Sequence, residues 1–254
     1  IHHPLADETG LDAAKHARLT GLERESLAQC SGVVVTSAFS ASRLVEYGVP
    51  ASRVRIVPPG TDASRAAAGP GPGEAPRLLC VGSVIPRKGQ DVLVRALARV
   101  RALPWSCLCA GSLTRAPEFA NSVLELVRAL GLEDRIDFPG ELGDPDLDGL
   151  YHSASIFVLA THYEGYGMVL SEALARGLPI LSTRGGAVPD TVPPEAGMLV
   201  PPGDEAALAV ALEELLSDPG GATRRTELAE GSLRHGRSLS TWGDAALAFE
   251  LAVR

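Results

Sequence analysis

The stretch Ile156-Phe157-Val158-Leu159-Ala160-Thr161-His162-Tyr163-Glu164-Gly165-Tyr166-Gly167-Met168-Val169-Leu170-Ser171-Glu172-Ala173-Leu174-Ala175-Arg176-Gly177-Leu178-Pro179-Ile180-Leu181-Ser182 decides the fold. Ile156 to Leu159 is a short continuous apolar run without polar alternation, which reads as a buried strand. Met168 to Arg176 has helical spacing. Pro179 to Ser182 is again an apolar strand. Strand, helix and strand in this order predict an α/β fold with a parallel sheet covered on both faces.

The alternation extends outward in both directions. Leu78 to Val81, Trp105 to Ala110 and Ile136 to Phe138 read as strands. Asp91 to Arg101, Glu118 to Leu130 and Leu147 to His152 read as helices, as does the segment from Asp204, a plausible N-cap, to Leu216. Toward the N-terminus, Gly32 to Val35 and Val54 to Val57 read as two further strands. Between the two sets, Ala66 to Pro76 is rich in Ala, Gly and Pro and has no periodicity. It reads as a linker, and a domain boundary is placed there.

Composition narrows the function. The chain has 254 residues and a net charge of −8, without the basic footprint of a nucleic-acid binder. No apolar run approaches the ~20 residues that span a bilayer. The four cysteines, Cys30, Cys80, Cys107 and Cys109, have no metal-site or redox spacing and read as small hydrophobes with reduced thiols, which fits a cytoplasmic protein. The first residues lack both an initiator Met and a signal pattern, so the chain is read as starting inside a longer protein. Only two lysines occur, Lys15 and Lys88, among 23 cationic residues. A lysine kept in so arginine-rich a chain draws attention to Lys88.

Ligands of such sheets bind at the carboxyl ends of the strands. After Val81 come Gly82-Ser83-Val84-Ile85-Pro86-Arg87-Lys88-Gly89, with two cations before a helix. A helix N-terminus with added cations suits a diphosphate; two solvated charges at a turn would look the same. After Ala160, Gly165 and Gly167 permit close backbone approach, and Glu164 and Glu172 offer carboxylates to sugar hydroxyls at two depths. Glu172 also fits a generic acid near a helix start. Arg184-Gly185-Gly186 reads equally as a ligand loop or a tight turn. No G-x-G-x-x-G follows a strand, and G-x-x-x-x-G-K-[ST], G-x-S-x-G and H-E-x-x-H are absent.

These residues resemble the retaining glycosyltransferases of the GT-B fold, family 4 type. Glu164 to Pro179 reproduces an E-x₇-E signature with its E-G-[FY]-G and E-A-x-A-x-G-x-P context. Arg184-Gly185-Gly186-Ala187-Val188-Pro189-Asp190 and Pro86-Arg87-Lys88-Gly89-Gln90-Asp91 match two further elements, in order. The resemblance implies two Rossmann-like domains with parallel sheets. Residues 1–62 would be a partial, incomplete acceptor domain, 63–76 the linker and 77–236 the donor domain. Residues 237–254 would form a helix packing back on the first domain. It implies transfer of a hexose from a UDP-, GDP- or ADP-sugar to a sugar, lipid-linked or small-molecule acceptor, with anomeric retention and no metal or cofactor.

In this resemblance Lys88 and Arg87 meet the diphosphate, and Glu164 touches the transferred sugar. Glu172 takes the ribose. The amides of Gly165, Tyr166, Gly167, Met168 and Val169 hold sugar or phosphate. Gly140, Glu141 and Leu142 flank the base. Ser83 stands where many members have arginine, and Asp190 where most have Glu. His2 and His3 are both candidates for an acceptor-side histidine. A separate chain or a dimer mate would complete the first domain. The location implied is the cytoplasm, including the inner membrane face. Two other readings stay open: a non-catalytic nucleotide-sugar-binding fragment or subunit, and a non-glycosylating relative such as a sugar-nucleotide epimerase or a phosphorylase.

Overall fold

Val33, Val34 and Val35 are β-branched and mostly buried, and they pair in parallel with Val54, Arg55 and Ile56. These strands, β1 (Val33–Val35) and β2 (Val54–Ile56), form a two-stranded sheet beside α1 (Ala13–Ala28) and α2 (Ala38–Glu46). Leu27, Val33, Val35, Leu44, Tyr47 and Val49 make its small core. The computed structural model describes every residue except Pro72, which falls in the expected linker and lies outside the described residues.

The larger unit begins with β3 (Arg77–Val81), α3 (Gln90–Arg99), β4 (Ser106–Ala110), α4 (Pro117–Ala129), β5 (Ile136–Gly140) and α5 (Asp144–Ser153). It continues with β6 (Ile156–Leu159), α6 (Met168–Ala175), β7 (Ile180–Thr183), α7 (Val188–Thr191), β8 (Gly197–Val200), α8 (Glu205–Leu216) and α9 (Gly220–Gly236). Its strands are all parallel, in the order β5-β4-β3-β6-β7-β8. Leu78, Leu79, Ile156, Phe157, Ile180 and Leu181 are buried at its centre. Asp204 caps α8 by accepting from the N–H groups of Ala206 and Ala207.

Chain direction reverses between β3 and β6. From β3 the chain moves outward to β4; from β6 it moves the other way to β7. The loops leaving Val81 and Leu159 therefore part from each other and leave a crevice, the topological switch point of an open α/β sheet.

The expected linker is not free of the larger unit. Residues 66–69 form no helix or strand, yet they are pinned to the larger unit. Ala67 donates its N–H to the Arg176 carbonyl and Ala68 to that of His152, both at 2.8 Å. Beyond α9, α10 (Trp242–Val253) starts in a capping box between Thr241 and Asp244. Its start packs on the segment that follows β2, where Gly60 lies against Trp242 and Thr61 donates to the Ser240 carbonyl at 2.8 Å. Trp242, Leu247, Phe249, Leu251 and Val253 remain exposed.

The two units are clasped together at the loop before α6. Arg43 grips Asp7 with two bonds, Nε to Oδ2 at 2.9 Å and Nη2 to Oδ1 at 2.6 Å. The Tyr47 hydroxyl donates to Asp7 at 3.2 Å and that of Tyr163 at 3.4 Å. The Tyr163 ring meets His3 and Phe39 edge-on, with centroids 5.5 and 5.6 Å away. Ser37 Oγ donates to the Gly165 carbonyl at 2.7 Å, and the Phe39 N–H to Asp190 Oδ2 at 3.0 Å.

Burial alone would raise the Asp7 carboxyl, but its bonds to Arg43 and the tyrosines outweigh this and hold it below the ordinary range. A carboxyl depressed in the folded state adds stability above its unfolded value of about 3.9, lost as pH falls through the lower folded value. Asp7→Asn is expected to cost about 1–3 kcal/mol at neutral pH and to flatten the acid limb of thermal stability below about pH 4. Melting curves across the acid range check this; an acid limb as steep as that of the parent chain would contradict it.

Candidate functional site

The site is built where the β3 and β6 loops meet. After Val81 the chain turns through Gly82 and Ser83 to one tight turn, Pro86–Lys88, and then enters α3 at Gly89. Gly89 has φ +65°, and a Cβ there would strike the Ala160 carbonyl. This close approach seats the two loops side by side. The His162 N–H also bonds the Arg87 carbonyl at 2.7 Å.

Across this contact Lys88 Nζ donates to Glu164 Oε1 at 2.8 Å. Arg87 Nη1 lies 3.6 Å from Glu164 Oε2 and donates to the Tyr163 carbonyl at 2.8 Å. Arg87 Nε faces Glu8 Oε1 at 3.1 Å, too poorly aligned to count as a hydrogen bond. Thr161 Oγ1 sits 2.9 Å from Glu164 Oε1. The Arg87, Lys88 and Glu164 side chains are only 14%, 13% and 7% exposed. Solvated charges at a turn are therefore not what these cations are. Their charges are held against Glu164 at the junction of the two units.

Above the ion pair lies a run of unpaired backbone donors. Gly167, at φ +86°, is the N-cap of α6 and has no side chain to cap it. Among the described residues, none of the N–H groups from Gly165 to Val169 donates to a protein acceptor. Consecutive free N–H groups at a helix start, close to Lys88, form a cradle for an anion. The Lys88 ammonium has three donors and uses one on Glu164, so two remain.

Glu172, half-buried in the second turn of α6, has different company. Its Oε2 accepts from the Tyr151 hydroxyl at 2.8 Å. It borders a cavity of about 360 Å³ that Leu147, Met168, Asp62 and Trp242 also line. Met168 thus lies between the ion-pair side of the loop and the Glu172 side.

The structure gathers Arg87, Lys88, Glu164 and the Gly165–Val169 amides into one cluster and sets Glu172 in the adjoining cavity. Ser83 lies at the start of the cation loop, where its carbonyl accepts the Gln90 amide at 3.1 Å. Gly140, Glu141 and Leu142 lie at the end of β5, where the Gly140 carbonyl accepts the Gly111 N–H at 2.8 Å and Gly111 lies against Gly82 and Ser83. Gly140 is the last residue of β5, not part of a loop, and β5 is the edge strand, two places from β3. Sequence reasoning did not single out Thr161, Tyr151, Gln90, Tyr163 or Asp7. Tyr151 acts through Glu172, 21 positions away, and Asp7 through Arg43 and Tyr163, 36 and 156 positions away; no local pattern signals such pairs.

The model of the family "Glycosyl transferases group 1" matches residues 75–218, and that of "Glycosyltransferase Family 4" matches residues 1–65. The chain is 32% identical to a D-inositol 3-phosphate glycosyltransferase of Salinispora tropica, over 88% of this chain and 51% of that protein. It is 28% identical to a GDP-mannose-dependent alpha-(1-6)-phosphatidylinositol monomannoside mannosyltransferase of Mycolicibacterium smegmatis, over 74% of this chain and 53% of that one. The chain spans about half the length of the curated relatives it matches. Sucrose-phosphate synthase from Thermosynechococcus elongatus superposes with a TM-score of 0.85 at 28% identity, covering 97% of this chain and 63% of that one. The two parallel-sheet units have the GT-B fold, and the chain belongs to the group 1 glycosyl transferases.

Proposed function

We propose that this chain carries the donor site of a hexosyltransferase that moves a hexose from a nucleotide diphosphate to an acceptor hydroxyl with anomeric retention. The observation that carries this reading is the pairing of Lys88 with Glu164, 2.8 Å apart, beside the free N–H groups of Gly165 to Val169. A sugar nucleotide must have its diphosphate neutralised, its sugar oriented and its nucleoside held. Lys88, Arg87, the Ser83 loop and the α6 N-terminus serve the diphosphate. Glu164 accepts from hydroxyls of the transferred sugar. Glu172, bordering the cavity, takes the ribose hydroxyls, and the backbone near Gly140, Glu141 and Leu142 flanks the base.

In the step, the bond from the anomeric carbon to the diphosphate oxygen breaks and the acceptor oxygen bonds the same face. The electron pair leaves with the diphosphate, whose departing oxygen takes the acceptor's proton. Preorganised cations and N–H groups stabilise the charge that develops, without need of a metal ion. Glu164 positions the sugar and does not attack it. Its Oε1 already accepts from Lys88 and sits 2.9 Å from the Thr161 hydroxyl, which lowers its power as a nucleophile. The relatives named for an inositol phosphate and a phosphatidylinositol mannoside favour a polyol or lipid-linked acceptor. The same reading puts the protein in the cytoplasm, at the inner membrane face; no helix among the described residues is long and apolar enough to cross a membrane.

The reading extends to a partner. An apolar groove of about 770 Å³ runs between β1 and α10, lined by Val33, Val35, Val57, Trp242 and Phe249. It is read as the seat of polypeptide from a second copy or a separate chain, because a two-stranded parallel sheet leaves its strand edges uncovered. In sedimentation this chain should form a dimer, or remain a monomer that binds an apolar dye. A monomer silent to the dye contradicts the reading.

The donor site is tested by calorimetric titration with UDP, GDP and ADP and their glucose, mannose and N-acetylglucosamine forms. One nucleotide class should bind, and Lys88→Ala and Glu172→Ala should each weaken it by about tenfold or more. Absence of binding by all of them contradicts the proposal. Turnover with and without an acceptor then separates transfer from epimerisation and from a non-catalytic subunit.

A further inference from the structure

The Tyr151 hydroxyl is a buried polar group for which the donor reading has no task. The residue is 1% exposed and borders the same cavity as Glu172. Its ring is fixed on both sides. Phe157 stacks on it with centroids 6.0 Å apart and planes 12° from parallel, and the Arg176 guanidinium lies 4.4 Å from its centroid. Arg176 is itself anchored by Asp148 at 2.9 Å. So fixed, the hydroxyl has one partner, Glu172 Oε2 at 2.8 Å. Burial, helped by the Glu172 charge, pushes the phenol well above its ordinary range, so it remains a donor at neutral pH. Among the described residues, Glu172 Oε1 accepts no hydrogen bond, and Glu172 borders the cavity.

We infer that Tyr151 is a positioning residue for Glu172: its buried hydroxyl holds one carboxylate oxygen so that the other faces the ribose diol of a bound nucleotide. This rests on the reading of Glu172 as the ribose-binding carboxylate. The need for a restraint is physical. Glu172 has three rotatable bonds, and Arg176 stands four positions on, where an exposed glutamate and arginine of one helix attract each other. Without the hydroxyl, the carboxylate is free to swing toward Arg176, which lines the same cavity, and the oxygen that faces the ribose is no longer fixed. With it, the free oxygen is preorganised, and the cost of ordering it falls in folding, not in binding.

The inference predicts a sugar-specific effect. Calorimetry would compare the nucleoside diphosphate that the chain binds with its 2′-deoxy counterpart, using the parent chain, Tyr151→Phe, Glu172→Ala and the double variant. Tyr151→Phe keeps the ring and its stacking. It should weaken the ribonucleotide by about tenfold and leave the 2′-deoxynucleotide nearly unchanged. The double variant should bind no more weakly than Glu172→Ala alone, because the hydroxyl acts only through that carboxylate. Glu172→Asp, which draws the carboxylate back from the hydroxyl, should reproduce the loss by a second route.

Equal weakening of both nucleotides by Tyr151→Phe would mark a merely structural role and overturn the inference. So would ribose discrimination intact in Tyr151→Phe but lost in Glu172→Ala, or losses that add in the double variant. A Glu172→Ala variant that binds like the parent would instead overturn the reading of Glu172, and the inference with it. A parent chain that binds no nucleotide would overturn the donor reading itself.

Discussion

The adjacency of β3 and β6 is the constraint on which the rest of the molecule depends. It brings Lys88 and Glu164, 76 positions apart, to 2.8 Å in a largely buried place. Charges withdrawn from water are tolerable there because they are paired: Lys88 with Glu164, and Glu164 also with Arg87 at 3.6 Å, so that removing Glu164 would leave two cations uncompensated. The pair also requires close loops, hence Gly89 against Ala160, and the Thr161 hydroxyl stands among Glu164 Oε1 and the Arg87 and Tyr163 carbonyls, each within 3.0 Å. The proposed donor cradle is therefore built into the packing of the sheet and is not an addition to its surface.

The smaller unit bears on the same loop from the other side. Asp7, Arg43, Ser37 and Phe39 reach Tyr163, Gly165 and Asp190, so the segment carrying Glu164 is held between two sheets. Asp190 has a clear place in this clasp. Its carboxylate accepts the Phe39 N–H in the first turn of α2, where a negative charge also favours the helix dipole.

Much of this is legible in the sequence. Ile156 to Leu159 and Leu78 to Val81 announce themselves as central strands because both faces are buried, which leaves continuous apolar runs. Arg87, Lys88, Glu164 and Gly167 stand where strand ends meet helix starts, and the E-x₇-E spacing links Glu164 to Glu172. Other elements were not legible, for identifiable reasons. Of α1, only Leu27 is buried, so it has almost no apolar stripe to read. The edge strand β8 is four residues long and half covered. α9 opens on two glycines and exposes much of its polar surface. The Asp7 clasp and the Tyr151–Glu172 bond depend on residues that only the fold brings together.

The central claim is that the Lys88–Glu164 pair and the Gly165–Val169 amides together receive a diphosphate. A crystal structure of this chain with its nucleoside diphosphate tests it most directly. The account predicts a phosphate within hydrogen-bonding distance of Lys88 Nζ and of at least two of those amides, with the ribose at Glu172. A diphosphate bound elsewhere, with Lys88 still committed to Glu164 alone and the amides unoccupied, would contradict it.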